Sequence, residues 1–279
     1  EKTIFANLIY FLRAGTWSWV LSLFLYFEIV GSVTMLTILS AWFFGALVSV
    51  VVGLIYLPSI KNFFSEPLDI GWLKKALKFS GMILLSTVFL KIIEFSDRYF
   101  INYFLSKQDL GVYTFYFQLS NLINVVIFTL FISFLYPKIM RSVLQKDRLK
   151  YEENKRSLNK NILKVVLTFA LGYYFILPYI LEHLQRPQLR ENQLLLLIML
   201  LGVVMINLSY ASHYFLITEK RDSLILKITI LTATINVILN ILLLPIVGIY
   251  GSSIALLVSG VLMFLMKNRF ERKILNLWS

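Results

Sequence analysis

The chain is 279 residues long, 58% hydrophobic, with a net charge of +12 and a mean hydropathy of +0.77. An apolar share so far above the roughly 45–50% of soluble domains excludes a water-soluble globule. The absence of cysteine excludes a disulfide framework and a thiolate metal site, and His183 and His213 alone argue against metal chemistry built on imidazole.

Continuous apolar runs of roughly 18–30 residues predict an all-α fold, a polytopic membrane helical bundle of about eight spans. A transmembrane barrel would instead alternate in short segments. The predicted spans are residues 6–27, 29–57, 76–105, 112–136, 162–181, 194–217, 225–247 and 249–266. Arg13 lies inside the first run, where it can act as an interfacial anchor by snorkelling. The second and third runs exceed the roughly 20 residues a bilayer needs, which implies tilt or ends projecting into the interface. The sequence opens on Glu1 without Met and enters a membrane segment almost at once, so the expectation is an N-terminally truncated chain.

The third run carries Lys91, Glu94, Asp97 and Arg98 in its middle and second half. A charge at the centre of a membrane helix costs roughly 2.5–3.5 kcal/mol, so these side chains are not expected to face lipid. With Lys91 at zero, Glu94 falls at about 300°, Asp97 at about 240° and Arg98 at about 340°. Ser80, Thr87 and Asn102 extend that polar face along the helix. Two readings stand. Intramembrane ionisable groups line substrate or ion pathways. Alternatively, Lys91 with Glu94 (i,i+3) and Glu94 with Arg98 (i,i+4) form a neutral stripe that glues helices together.

Orientation is read from the positive charges. The segment 137–161 holds Lys138, Arg141, Lys146, Arg148, Lys150, Lys155, Arg156 and Lys160 against three acids, which places it in the cytoplasm. With eight spans, Lys61, Lys74 and Lys75, then Lys220 and Arg221, then Lys267, Arg269, Arg272 and Lys273 all fall on that same side. The opposite connections hold only Lys107, Arg186 and Arg190. The charged segment is most simply a solvated surface, which a helix could carry, with anionic lipid headgroups as a weaker reading.

The remaining spans carry polar seams. Thr114, Gln118, Asn121 and Thr129 lie within a narrow arc flanked by Asn124, and Thr229, Thr232, Asn236 and Asn240 share a face at steps of three and four. Any single such residue serves packing at about 0.6–2 kcal/mol, while their repetition beside the charged helix predicts a shared hydrophilic cleft. Gly251, Ala255 and Ser259 form a small-residue ridge for close helix contact. Pro178 and Pro245 are placed at or near helix ends. His213, beside Tyr210 and Tyr214, reads as a hydrogen-bonded interfacial histidine rather than a proton relay. Walker A, G-x-S-x-G and H-E-x-x-H sequences are missing, and the aromatic residues suit lipid contact better than nucleic-acid stacking.

Two stretches bear a family likeness. Asp97-Arg98-Tyr99-Phe100-Ile101 followed by Leu110-Gly111-Val112-Tyr113 resembles the start of a six-helix lobe in polysaccharide flippases of the multidrug/oligosaccharidyl-lipid/polysaccharide export superfamily. Asn236 and Asn240, then Pro245, Gly248, Gly251 and Ala255, resemble the last two helices of that lobe. The resemblance implies a complete C-terminal six-helix lobe over 76–266, preceded by two helices of an incomplete N-terminal lobe over 1–57 and a cytoplasmic linker over 58–75. A cytoplasmic tail over 267–279 follows, and about four helices of the family pattern are missing.

The function so implied is a transporter, not an enzyme. It would carry an undecaprenyl-pyrophosphate-linked oligosaccharide, of the O-antigen type, from the inner to the outer leaflet of a bacterial cytoplasmic membrane by alternating access. The pathway residues are expected to be Lys91, Glu94, Asp97, Arg98, Asn102, Gln118, Asn121, Asn236 and Asn240. Lys91 and Arg98 would meet the pyrophosphate, and the carboxylates would balance the empty site. No cofactor and no nucleic acid are expected. The partners are the lipid bilayer, the lipid-linked oligosaccharide and polysaccharide assembly proteins. A drug or ion antiporter of the same superfamily is the nearest alternative. A membrane polymerase or glycosyltransferase would have only Glu182, His183, Arg186, Arg190 and Glu191 to draw on outside, and these suit an exposed polar loop better.

Overall fold

Where a computed structural model describes them, the apolar runs are mainly helical; it describes residues 9, 12–13, 15–27, 34–56 and 69–278. Among these residues there is no strand, and the architecture is an all-α membrane bundle. The chain divides into two compact units, Glu1–Leu73 and Lys74–Ser279.

In the first unit, α1 (Thr16–Tyr26) packs on α2 (Met35–Tyr56). Gly45 permits the contact, since a Cβ there would meet the Cβ of Trp17 at 3.0 Å. The Ser49 hydroxyl is buried and donates to the Ala46 carbonyl at 2.6 Å, so it makes no demand on lipid. Arg13 is exposed, and the rest of the predicted span 6–27 ahead of Gly15 lies largely outside the described residues.

The helix α3 (Ile70–Phe104) runs into the second unit, which continues with α4 (Lys107–Ile127), a π-helical turn (Phe128–Ile132) and α5 (Ser133–Leu144). Ser106 and Asp109 close a reciprocal capping box at the start of α4, at 3.1 and 3.2 Å. The helix α6 (Arg148–Leu184) is followed by a short α7 (Pro187–Glu191), then α8 (Leu194–Leu208), α9 (Tyr210–Thr218), α10 (Asp222–Val247) and α11 (Tyr250–Leu275). Among the described residues, six helical stretches are long and apolar enough to cross a membrane: Met35–Ile55, Lys107–Leu144, Arg148–Leu184, Leu194–Thr218, Asp222–Val247 and Tyr250–Leu275. The 35-residue α3 has the length as well, and carries Lys91, Glu94, Asp97 and Arg98 within its second half.

One expectation about the chain's course needs correction. Pro137 does not end a helix: it sits inside α5, which runs on to Leu144. Its ring removes the N–H that would bond the Ser133 carbonyl, and the wider π turn stands one turn upstream, with the Ser133 hydroxyl bonded to the Phe128 carbonyl at 2.9 Å. The charged segment 137–161 is accordingly almost all helix, broken only near residues 145–147. At 37 residues, α6 is about 55 Å long, so its charged first half extends beyond the roughly 30 Å bilayer core. The predicted span 194–217 stands as the helical stretch Leu194–Thr218, with a local turn at Ser209, whose N–H is shared between the carbonyls of Met205 (3.2 Å) and Ile206 (3.1 Å).

The centre of this unit is α11, packed against α8 and α10. The α8–α11 crossing is a glycine contact: a Cβ on Gly260 would lie 2.6 Å from the Gly202 carbonyl oxygen. In the α10–α11 hairpin, Gly248 takes a φ of +61°, and a Cβ on Gly251 would meet the Leu243 backbone at 2.7 Å. The ridge of Gly251, Ala255 and Ser259 is fully buried in these contacts.

Candidate functional site

Asp97 is completely buried, and its carboxylate ties three helices together. The Tyr113 hydroxyl of α4 donates to Oδ2, and the Asn240 amide of α10 donates to Oδ1 at 3.0 Å. Asn240 is held in turn by the Asn236 carbonyl at 3.0 Å and accepts from the Ser252 hydroxyl of α11. Asn236 donates to Ser259 at 3.2 Å and accepts from Ser96 of α3 at 3.4 Å. Four helices thus share one buried polar network, in which each side chain finds a partner that lipid cannot offer. The polar seam of α10 faces inward as expected, with Thr229, Thr232, Asn236 and Asn240 all buried.

The charges near Asp97 on α3 do something else. Lys91 pairs with Glu94, and the two side chains keep 56% and 32% of their exposure. Arg98 does not pair with the Glu94 carboxylate: its Nη1 donates to the Glu94 main-chain carbonyl at 3.0 Å. Its guanidinium carbon lies 4.5 Å from the centroid of Phe117 and 5.0 Å from that of Phe95, a cation–π arrangement worth about 0.5–2 kcal/mol. Four charges read as one stripe therefore separate into a buried anchor, Asp97, and an accessible group of Lys91, Glu94 and Arg98.

The remaining sequence-selected residues are not gathered at this network. Asn121 belongs to a second polar chain, in which Asn124 donates to it at 3.4 Å and accepts from Asn207 of α8 at 2.9 Å. Gln118 is exposed and, with Thr114, Lys107, Arg186 and Gln188, lines a cleft of about 660 Å³ at the opposite ends of α4 and α6 from the charged segment. Asn102 is exposed. His213 lies edge-on to Tyr210 and tilted against Tyr214, and its buried Nδ1 has no hydrogen-bond partner among the described residues.

Sequence reasoning missed Tyr113 and Ser252. Tyr113 stood in the quoted Leu110-Gly111-Val112-Tyr113 stretch, but an aromatic in an apolar run reads first as lipid contact. Also missed was the ion pair between α6 and α11, where the Lys155 ammonium meets Glu271 at 2.7 Å and Asn268 at 2.6 Å.

The fold and these polar contacts define a multi-pass helical membrane protein. Residues 11–143 match the family model described as "Polysaccharide biosynthesis protein", a stretch that includes α1 to α4 and therefore Lys91, Glu94, Asp97, Arg98 and Tyr113. The match supports a role in polysaccharide biosynthesis. No curated protein and no solved structure matches the chain.

Proposed function

We propose that the protein moves a lipid-linked oligosaccharide, with an undecaprenyl-pyrophosphate carrier, from the inner to the outer leaflet of a bacterial cytoplasmic membrane by alternating access. The observation that carries this reading is the match of residues 11–143 to polysaccharide biosynthesis proteins, with the accessible charges of α3 inside the matched stretch. A multi-pass protein in that pathway has its sugar nucleotides on one side of the bilayer and its polymer on the other, so a carrier-linked intermediate must cross. Lys91 and Arg98 supply cations for the pyrophosphate, and Glu94 keeps the group near neutrality without substrate. Asp97, Asn236 and Asn240 hold α3 to α10, and so fix where those charges stand. The orientation that fits has the charged start of α6 and the C-terminus in the cytoplasm.

The test is reconstitution of the purified protein in vesicles with a fluorescent undecaprenyl-pyrophosphate oligosaccharide. The label should become accessible to an impermeant glycosidase at a rate that depends on the protein. Transport of cationic drugs or sodium with no movement of the labelled lipid would replace this reading with an antiporter.

A further inference from the structure

A second charged feature lies away from α3. Between the first half of α6 and the end of α11 is a cleft of about 990 Å³ lined by Arg148, Lys155, Arg156, Lys160, Lys164 and Arg272. Two of these cations are already neutralised: Arg148 pairs with Glu152 at 2.9 Å, and Lys155 with Glu271 at 2.7 Å. The Lys155–Glu271 pair is mostly buried and bridges the two helices, so it fixes the wall of the cleft. Arg156, Lys160, Lys164 and Arg272 are exposed and take part in no ion pair among the described residues. Three of them recur every four residues along one stripe of α6. The cleft is thus a preformed, uncompensated positive surface.

The same face changes character toward the middle of α6. Leu163 and Leu167 line the cleft beside Lys160 and Lys164, and Leu171 continues the row one turn further. All three leucines are more than half exposed, at 53%, 62% and 53%. A cationic end grading into an open leucine track matches an amphiphile with a phosphate head and acyl tails better than free phosphate, which has no use for the track. The charged segment of α6 also stands on the side where the positive residues collect, and that leaflet is rich in anionic lipid.

We infer that this cleft is a binding site for an anionic phospholipid, with the phosphate held by Arg156, Lys160, Lys164 and Arg272 and an acyl chain along Leu163, Leu167 and Leu171. The inference stands independently of the transport reading, because neither the lipid nor the cleft involves the charges of α3. Each cation near an anionic headgroup contributes about 1 kcal/mol, so losing two should weaken binding roughly thirtyfold.

The full chain, purified in detergent, is titrated with phosphatidylglycerol or phosphatidylcholine and the bound lipid counted by native mass spectrometry. Phosphatidylglycerol should bind preferentially, and the double variant Lys160→Gln/Lys164→Gln should lose that preference. Lys160→Arg/Lys164→Arg should keep it, which shows that any loss in the Gln variant is not misfolding. Lys138→Gln/Arg141→Gln removes two cations from a different cleft on the same side and should bind as the parent does. Equal loss in that control would reduce the site to diffuse net charge and overturn the inference. Equal retention of phosphatidylcholine would overturn it too, as would displacement of the lipid by millimolar inorganic phosphate, which would mark a free-phosphate site.

Discussion

The Asn240 amide donates to the Asp97 carboxylate at 3.0 Å across 143 residues of sequence, joining the charged helix to the tenth helix at full burial. That bond is one of three that hold a helix as charged as α3 in an apolar bundle, with those of Tyr113 to Asp97 and Ser96 to Asn236. The buried carboxylate makes no ion pair among the described residues and is bonded by a hydroxyl and an amide, the amide fixed by further partners in α10 and α11.

Removing the acceptor should therefore be worse than removing the charge. Asp97→Ala leaves the Tyr113 hydroxyl and the Asn240 amide without it, and should cost about 2–6 kcal/mol, at about 1–3 per stranded buried donor. Asp97→Asn keeps one acceptor oxygen in the same shape and should lose less than half as much. Thermal unfolding in detergent, followed by size exclusion, measures both. Equal loss in the two variants would mean that the network needs the charge itself.

The glycine contacts give a contrasting pair. Gly260→Ala forces a methyl to 2.6 Å from the Gly202 carbonyl oxygen, so α8 and α11 must separate, at about 1–3 kcal/mol. Gly172→Ala, in the interior of α6 with nothing within 4 Å of its added carbon, should be neutral or stabilise by up to about 1 kcal/mol. A Gly260→Ala variant that melts with the parent would show that this crossing is looser than its geometry.

The helices and the inward seam of α10 were legible from sequence because both rest on periodicity: a step of three and four puts Thr229, Thr232, Asn236 and Asn240 on one face, and four amides and hydroxyls outweigh the apolar alternatives. The division of the α3 charges was not legible. Helical angles give directions relative to one another and not relative to the core, so Asp97, at the edge of the arc, was grouped with Lys91 although one is buried and the other exposed. Gln118 and Asn121 failed to converge for the same reason: one small rotation of α4 sends them to different neighbours. The helical continuation through Pro137 was hidden because a proline argues for an ending unless the turn before it widens.

Orientation is open to a direct measurement, because the chain has no cysteine to remove. Single cysteines at Lys150, Arg221 and Lys273, all exposed, should stay unlabelled when an impermeant thiol reagent is added outside intact cells, and one at Gln188 should react. Labelling at position 150 from outside would invert the orientation and with it the proposed direction of transport.

Arg98 and Lys91 should respond differently to charge-conserving changes. Arg98→Lys keeps the charge but gives up the planar group over Phe117 and the fork that grips a phosphate bidentately. If Arg98 contacts substrate, transport of the labelled lipid should fall by about tenfold, the worth of one charge-assisted hydrogen bond, with the melting temperature unchanged. A melting temperature that falls in step with transport would assign Arg98 to packing against Phe95 and Phe117 instead. The Lys91–Glu94 pair is probed by exchange, Lys91→Glu with Glu94→Lys, which preserves both the ion pair and the net charge. A structural bridge tolerates the exchange, whereas a pyrophosphate site loses its cation at the position where the phosphate must sit. If the exchanged protein accumulates normally and restores surface glycan in a flippase-deficient cell, the pair is only a bridge. The cationic role then rests on Arg98 alone.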